Sequence, residues 1–125
     1  MARRALGQPR RMLQTAMTQP EVSDPKLREM VGRLVDSFQP EAIYLFGSVA
    51  RGAGGPGSDY DLLVVVKASD LPTYQRNKRA FRVLCGVGAA KDVIVLTRDQ
   101  FDRKLKVASS LAATVAREGR LLYAA

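Results

Sequence analysis

The run Leu62-Leu63-Val64-Val65-Val66 is apolar at every position. A strand that faces water on one side alternates apolar and polar residues with a period of two. An unbroken, largely β-branched run reads instead as a central strand covered on both faces. That one feature calls for a layered domain, in which a sheet is enclosed by helices.

The flanking sequence supplies the layers. Asp24-Pro25 reads as an N-cap followed by proline at the first helical position. Leu27, Met30, Val31, Leu34, Val35 and Phe38 then recur at helical spacing, and Pro40 stops the helix. Ala42–Phe46 is a short apolar run that reads as a first strand. After the central strand, Asp70 and Pro72 open a second helix, with Tyr74, Phe81, Leu84 and Cys85 on its apolar side. Arg76, Arg79 and Arg82 form its solvated basic side, and Gly86 and Gly88 end it. Val93–Leu96 reads as a third strand. Thr97 with Gln100 fits a capping box for a helical segment that carries Phe101 and Leu105 on one face. A last helix is expected from about Ala108 to Glu118, with Gly119 as its stop. Leu121–Tyr123 could add a short edge strand. The expected architecture is α/β (α+β): one domain over residues 23–125, with a small mixed sheet of three core strands flanked by helices. A basic, mobile segment over residues 1–22 precedes it.

Composition narrows the chemistry. The 125 residues contain no His and one Cys, Cys85. Imidazole catalysis, His-ligated zinc, Cys-cluster metal sites and intramolecular disulfides are therefore excluded. No apolar run reaches the ~18 residues of a membrane span. The first twenty residues hold Arg3, Arg4, Arg10 and Arg11 and no acid, so they are not a secretory signal. An organelle transit peptide shares that composition, but a basic tail or irregular first helix is the expected reading, in a cytoplasmic protein. The formal charge of +8 suits polyanionic partners, nucleotides and RNA among them. What remains for catalysis is carboxylates, hydroxyls, basic side chains and backbone groups.

Those groups are concentrated in one region. Residues 47–57, GSVARGAGGPG, hold five of the ten glycines, and Ser58-Asp59-Tyr60-Asp61 follows at the mouth of the central strand. Strand periodicity sets Asp59 and Asp61 on one face, ~6.5–7 Å apart. Paired carboxylates repel, so they need cations, and their oxygens suit Mg²⁺. Asp92 opens the third strand as Asp59 opens the second. If those strands are parallel neighbours, the acids meet at one end of the sheet, and the intervening helix is the crossover such a pair needs. If the first two strands are antiparallel, the glycine loop lies at that end too. Its backbone N–H groups, with Ser48 and Arg51, suit a phosphate. Taken singly, a Gly-Ser pair is a turn and an Asp-x-Asp is a solvated strand end. The case rests on their order and combination.

In that combination the chain resembles the nucleotidyltransferase superfamily typified by DNA polymerase beta, and most closely its smallest branch, the minimal nucleotidyltransferases. The matching residues are Phe46-Gly47-Ser48, ten intervening residues, Asp59-Tyr60-Asp61-Leu62, and then Asp92-Val93-Ile94-Val95. The resemblance covers about residues 26–123. It implies that Asp59, Asp61 and Asp92 are catalytic and ligate two Mg²⁺ ions. It further implies that Gly47, Ser48 and Arg51 hold the β- and γ-phosphates of ATP or another NTP, and that Ser58 supports the aspartates. The implied reaction is attack of a hydroxyl on the α-phosphorus, with release of pyrophosphate. Larger relatives select the acceptor with a second domain, for which this chain has no room. A shared site with another subunit, as in a homo-oligomer, or a docked protein acceptor is then expected. In the minimal branch that acceptor is a tyrosine of a helical HEPN-type toxin, which the nucleotidyltransferase modifies with AMP as the antitoxin. The small-residue face Ala108, Ala112 and Ala116 could meet a partner helix, although packing on the chain's own sheet is the better reading. Two other functions stay open: an antitoxin or adaptor acting by binding alone, and a nucleic-acid-binding protein that uses the basic surface. Among eight aromatics there is no recognised nucleic-acid motif.

Overall fold

The computed structural model describes residues 24–47, 60–88 and 90–125. In chain order these form helix α1 (Pro25–Phe38), strands β1 (Ala42–Phe46) and β2 (Tyr60–Val66), helix α2 (Thr73–Val83), strand β3 (Ala90–Thr97), helices α3 (Arg98–Leu105) and α4 (Leu111–Glu118), and strand β4 (Arg120–Ala124). The sheet order is β3-β2-β1-β4. β1 pairs antiparallel with both β2 and β4, and β2 pairs parallel with β3. The sheet is mixed, as expected, with a fourth strand that sits at its edge. The basic segment 1–22 lies outside the described residues.

β2 is central in the strict sense. Leu62, Leu63, Val64 and Val65 have no exposed surface, and Val66 has 5%. Its alternate residues enter two cores. Leu62, Val64 and Val66 pack with Ile43, Leu45, Val93 and Val95 under α1 and α2. Leu63 and Val65 pack with Ala42, Leu96 and Phe101, and with Ala112 and Val115 of α4. The sheet is therefore sandwiched between two pairs of helices, which is why no position from Leu62 to Val66 is polar.

Local chemistry sets the helix ends. Asp24 caps α1 through a bond from Lys26 N, 2.8 Å, with proline in the first turn. Thr97 and Gln100 form both halves of the capping box on α3. Ser110 caps α4, which starts at Leu111 rather than Ala108. Ala112 is buried against the chain's own sheet, whereas Ala108 and Ala116 are exposed.

α2 departs from the sequence reading. It starts at Thr73 behind Pro72, with no side-chain cap, so Asp70 does not open it. Tyr74 and Phe81 are 68% and 44% exposed, and Cys85 is exposed rather than in the core. The inward stripe is instead Arg76, Ala80 and Leu84, at i, i+4 and i+8. Arg76 is 3% exposed and so does not belong to a solvated basic face. The reason is tertiary. β3 is a sheet edge, so its outer backbone groups lack a strand partner. Arg76 Nε donates to Val95 O at 3.1 Å, and Asn77 Oδ1 accepts from Val95 N at 2.7 Å. α2 thus covers part of that edge with side chains. No helix among the described residues is long and apolar enough to cross a membrane.

Candidate active site

The register of the sheet brings the acids together. On the parallel pair β2·β3, Asp61 and Asp92 are direct Cα partners, one strand spacing apart, about 4.8 Å. Residues paired this way in a parallel ladder project from the same face. Here it is the face of Leu63, Val65, Ile94 and Leu96, which α3 and α4 cover further along. At this end the cover runs out. Asp61 is half-buried and Asp92 exposed.

The pair sits in the regular part of the ladder, since Asp61 with Asp92 is followed in unbroken register by Leu62 with Val93 through to Val66 with Thr97. The one irregularity lies just upstream, where Tyr60 pairs with Ala90 and the register shifts by one residue, so a bulge marks the strand end beside the acids.

The third contributor is Gly47. β1 runs antiparallel to β2, with Phe46 opposite Asp61, so the chain leaving β1 passes directly over the carboxylate. Gly47 has φ +81°, a conformation that side chains oppose. A Cβ there would collide with Asp61 Oδ2 and lie 3.2 Å from its Cγ. Glycine is required twice, for the turn and for the close approach of backbone to carboxylate.

Tyr60, the middle residue of the Asp-x-Asp, anchors the strand just before the bulge. It faces the other core, 8% exposed. Its hydroxyl donates to Asp24 Oδ2 at 2.5 Å, while Asp24 Oδ1 accepts from Lys26 N. One carboxylate thus caps α1 and ties it to β2. The Tyr60 hydrogen bond is the largest of the influences that hold the Asp24 carboxyl below its ordinary range; burial opposes it, and bonds from the backbone amides of Lys26 and Leu27 and the nearby Lys26 charge add to the lowering. Sequence reasoning missed this pair. The signal was a tyrosine at the head of a strand that enters the core, whose buried hydroxyl must find a partner.

Of the residues expected at the site, Gly47, Asp61 and Asp92 converge as described. Ser48, Arg51, Ser58 and Asp59 lie outside the described residues. Among the described residues no group of three or more His, Cys, Asp or Glu could hold a metal. What those residues contribute is the pair Asp61 and Asp92.

The chain is similar to known proteins over most of its length. The nucleotidyltransferase domain family matches residues 26–117. A crystal structure of a putative nucleotidyltransferase from Sulfolobus solfataricus is 31% identical over 79% of this chain and 78% of its own, with a TM-score of 0.51. Two mutant forms of the toxin–antitoxin MntA-HpeT share the fold. One is 22% identical with a TM-score of 0.52, covering 78% of this chain and 73% of its own. The other is 24% identical with a TM-score of 0.51, covering 78% and 72%. No curated protein matches the chain. With a family match across most of its length and the acid pair in register beside Gly47, the chain belongs to the nucleotidyltransferase domain family.

Proposed function

We propose that this protein transfers a nucleoside monophosphate, AMP from ATP, to a hydroxyl on a protein partner, and that the partner is a HEPN-type toxin which it neutralises in the cytoplasm. The observation that carries the reading is the in-register pair Asp61 and Asp92, with the backbone of Gly47 against Asp61. Two carboxylates on one face form a hard oxygen donor set, which fits Mg²⁺. The space that a Cβ would fill at Gly47 keeps the approach to Asp61 open.

Asp61 and Asp92 would hold Mg²⁺ together with Asp59, two ions in all. Bound there, the ions would neutralise charge on the triphosphate and on the attacking and leaving oxygens. The residues of the chain do the rest. Gly47, Ser48 and Arg51 bind the β- and γ-phosphates and so fix the α-phosphorus in line with the acceptor. Ser58 supports the aspartates. Asp92 takes the proton of the acceptor hydroxyl. One bond forms, from that oxygen to the α-phosphorus, and one breaks, to the β-phosphate, so that pyrophosphate leaves. Catalysis of this kind rests on positioning and charge rather than on covalent chemistry with the protein. The partner assignment draws on the fold shared with structures described as the toxin–antitoxin MntA-HpeT.

The test is transfer from ATP labelled at the α-phosphate, with Mg²⁺ and a HEPN-type helical protein as acceptor. Label is expected on a partner tyrosine, and Asp61→Asn abolishes it. Equal transfer by that variant would refute the reading. If the variant makes no transfer yet neutralises the toxin as well as wild type, binding alone explains the antitoxin effect.

A further inference from the structure

At the far end of β2 from Asp61, about 16 Å along the strand at ~3.3 Å per residue, lies a cleft of about 140 Å³. It opens where β2, the end of α1 and the start of α2 meet. Its walls are apolar at Phe38, Val66 and Leu71, and its polar lining is Ser69, Arg76 and Arg79, with no carboxylate. We infer that this cleft is a second anion site, fitted to a single phosphate group, either inorganic or at the end of a nucleotide.

Three observations carry the inference. The first is uncompensated charge. Arg76 is 3% exposed, yet its bonds go only to neutral acceptors: Val95 O, Leu71 O, Thr73 Oγ1 and Gln100 Oε1. It has no acidic partner among the described residues. Buried charges are ordinarily paired, because the desolvation cost is otherwise unrelieved. Desolvation holds the Arg76 guanidinium below its usual range, and an anion in the cleft would reverse that.

The second is a set of unused donors. A guanidinium has five N–H groups, and the four bonds of Arg76 leave one on Nη1. Arg79 is held over the Phe38 ring at 5.0 Å, with Nη2 donating to Ser37 O at 3.2 Å. Its Nε and Nη1 have no acceptor among the described residues. Ser69 Oγ accepts from Leu71 N at 3.1 Å, and its own proton has no acceptor among them. The third is α2 itself, which begins beside the cleft with no side-chain cap and no acid in its first turn. Its positive end therefore has no acid within the helix's own first turn.

The two guanidinium groups come from α2 and the hydroxyl from the segment that leads into it. A tetrahedral dianion has the charge and the oxygens to meet two guanidinium groups and a hydroxyl at once, whereas a carboxylate offers one charge and two oxygens.

The experiment is a titration of the ¹⁵N-labelled chain without Mg²⁺, at constant ionic strength, with inorganic phosphate, AMP and acetate in separate arms. Saturable amide shifts are expected at Val66, Ala68, Ser69 and Leu71. They should weaken about tenfold in Arg79→Gln, which removes one charged donor from an exposed position, and be lost with acetate. Tighter binding of AMP than of phosphate identifies the nucleotide as the source, and the reverse identifies the free ion. Shifts confined to Gly47 and Asp61, equal binding of acetate, or no change in Arg79→Gln would each overturn the assignment.

Discussion

Replacing Gly47 by alanine isolates the closest contact in the site, because the protein carries its own control. Gly47 and Gly88 have the same φ, +81°. An added Cβ meets nothing within 4 Å at Gly88, but at Gly47 it collides with Asp61 Oδ2 and comes within 3.2 Å of Cγ. Left-handed backbone costs a non-glycine residue about 1–2 kcal/mol. Both variants should therefore lose about that much stability, a factor of roughly ten per 1.4 kcal/mol in the folding equilibrium. They part company in function. In Gly47→Ala the Asp61 carboxylate has to move, and a misplacement of about 1 Å in a reacting constellation costs about 10²-fold. Denaturant unfolding gives the first quantity. Pyrophosphate release with saturating Mg²⁺, ATP and the acceptor protein gives the second, measured where both variants are fully folded. Gly88→Ala is expected to keep wild-type turnover. If Gly47→Ala kept it as well, the approach of backbone to carboxylate would be irrelevant to the chemistry.

Two further predictions concern the scaffold. The folded pKa of Asp24 lies below its unfolded value of about 3.9, so its contribution to stability is complete above that value and disappears as pH falls through the lower, folded one. Asp24→Asn preserves an N-cap side chain, so the variant should be less stable than wild type near pH 7 and converge on it in acid; a constant difference across the titration would contradict this. Asn77→Leu leaves Val95 N–H on the β3 edge without its 2.7 Å partner and should cost about 1–3 kcal/mol, with faster amide exchange at Val95; unchanged exchange would show that the edge is covered some other way.

Much of this arrangement was legible in the sequence because its causes are local. The Asp24-Pro25 start, the Thr97/Gln100 box and the two-sided burial of Leu62–Val66 each follow from neighbours a few residues apart. The strand directions stayed conditional in the sequence: the helical crossover fits a parallel pair, and that pairing is what brings Asp61 and Asp92 together. The features that escaped depend on distant chain. Arg76 looked like one of three solvated arginines because the acceptors that bury it, Val95 O, Leu71 O and Gln100 Oε1, belong to other elements. The bulge just before Asp61 has no composition of its own. The Tyr60–Asp24 bond spans 36 residues. Tyr74 and Phe81 suit a core by residue type, yet from this helix and its C-cap it is Ala80 and Leu84 that enter it.

The account turns on Asp61 and Asp92 serving one divalent-cation site at the rim of the sheet. Mn²⁺, a paramagnetic substitute for Mg²⁺, reads that out directly from the ¹⁵N-labelled chain with a non-hydrolysable ATP analogue. Broadening is predicted to be strongest at Gly47, Asp61 and Asp92 together, and to be lost from all three in either Asp61→Asn or Asp92→Asn. Broadening centred elsewhere, or persisting unchanged in both variants, would contradict it.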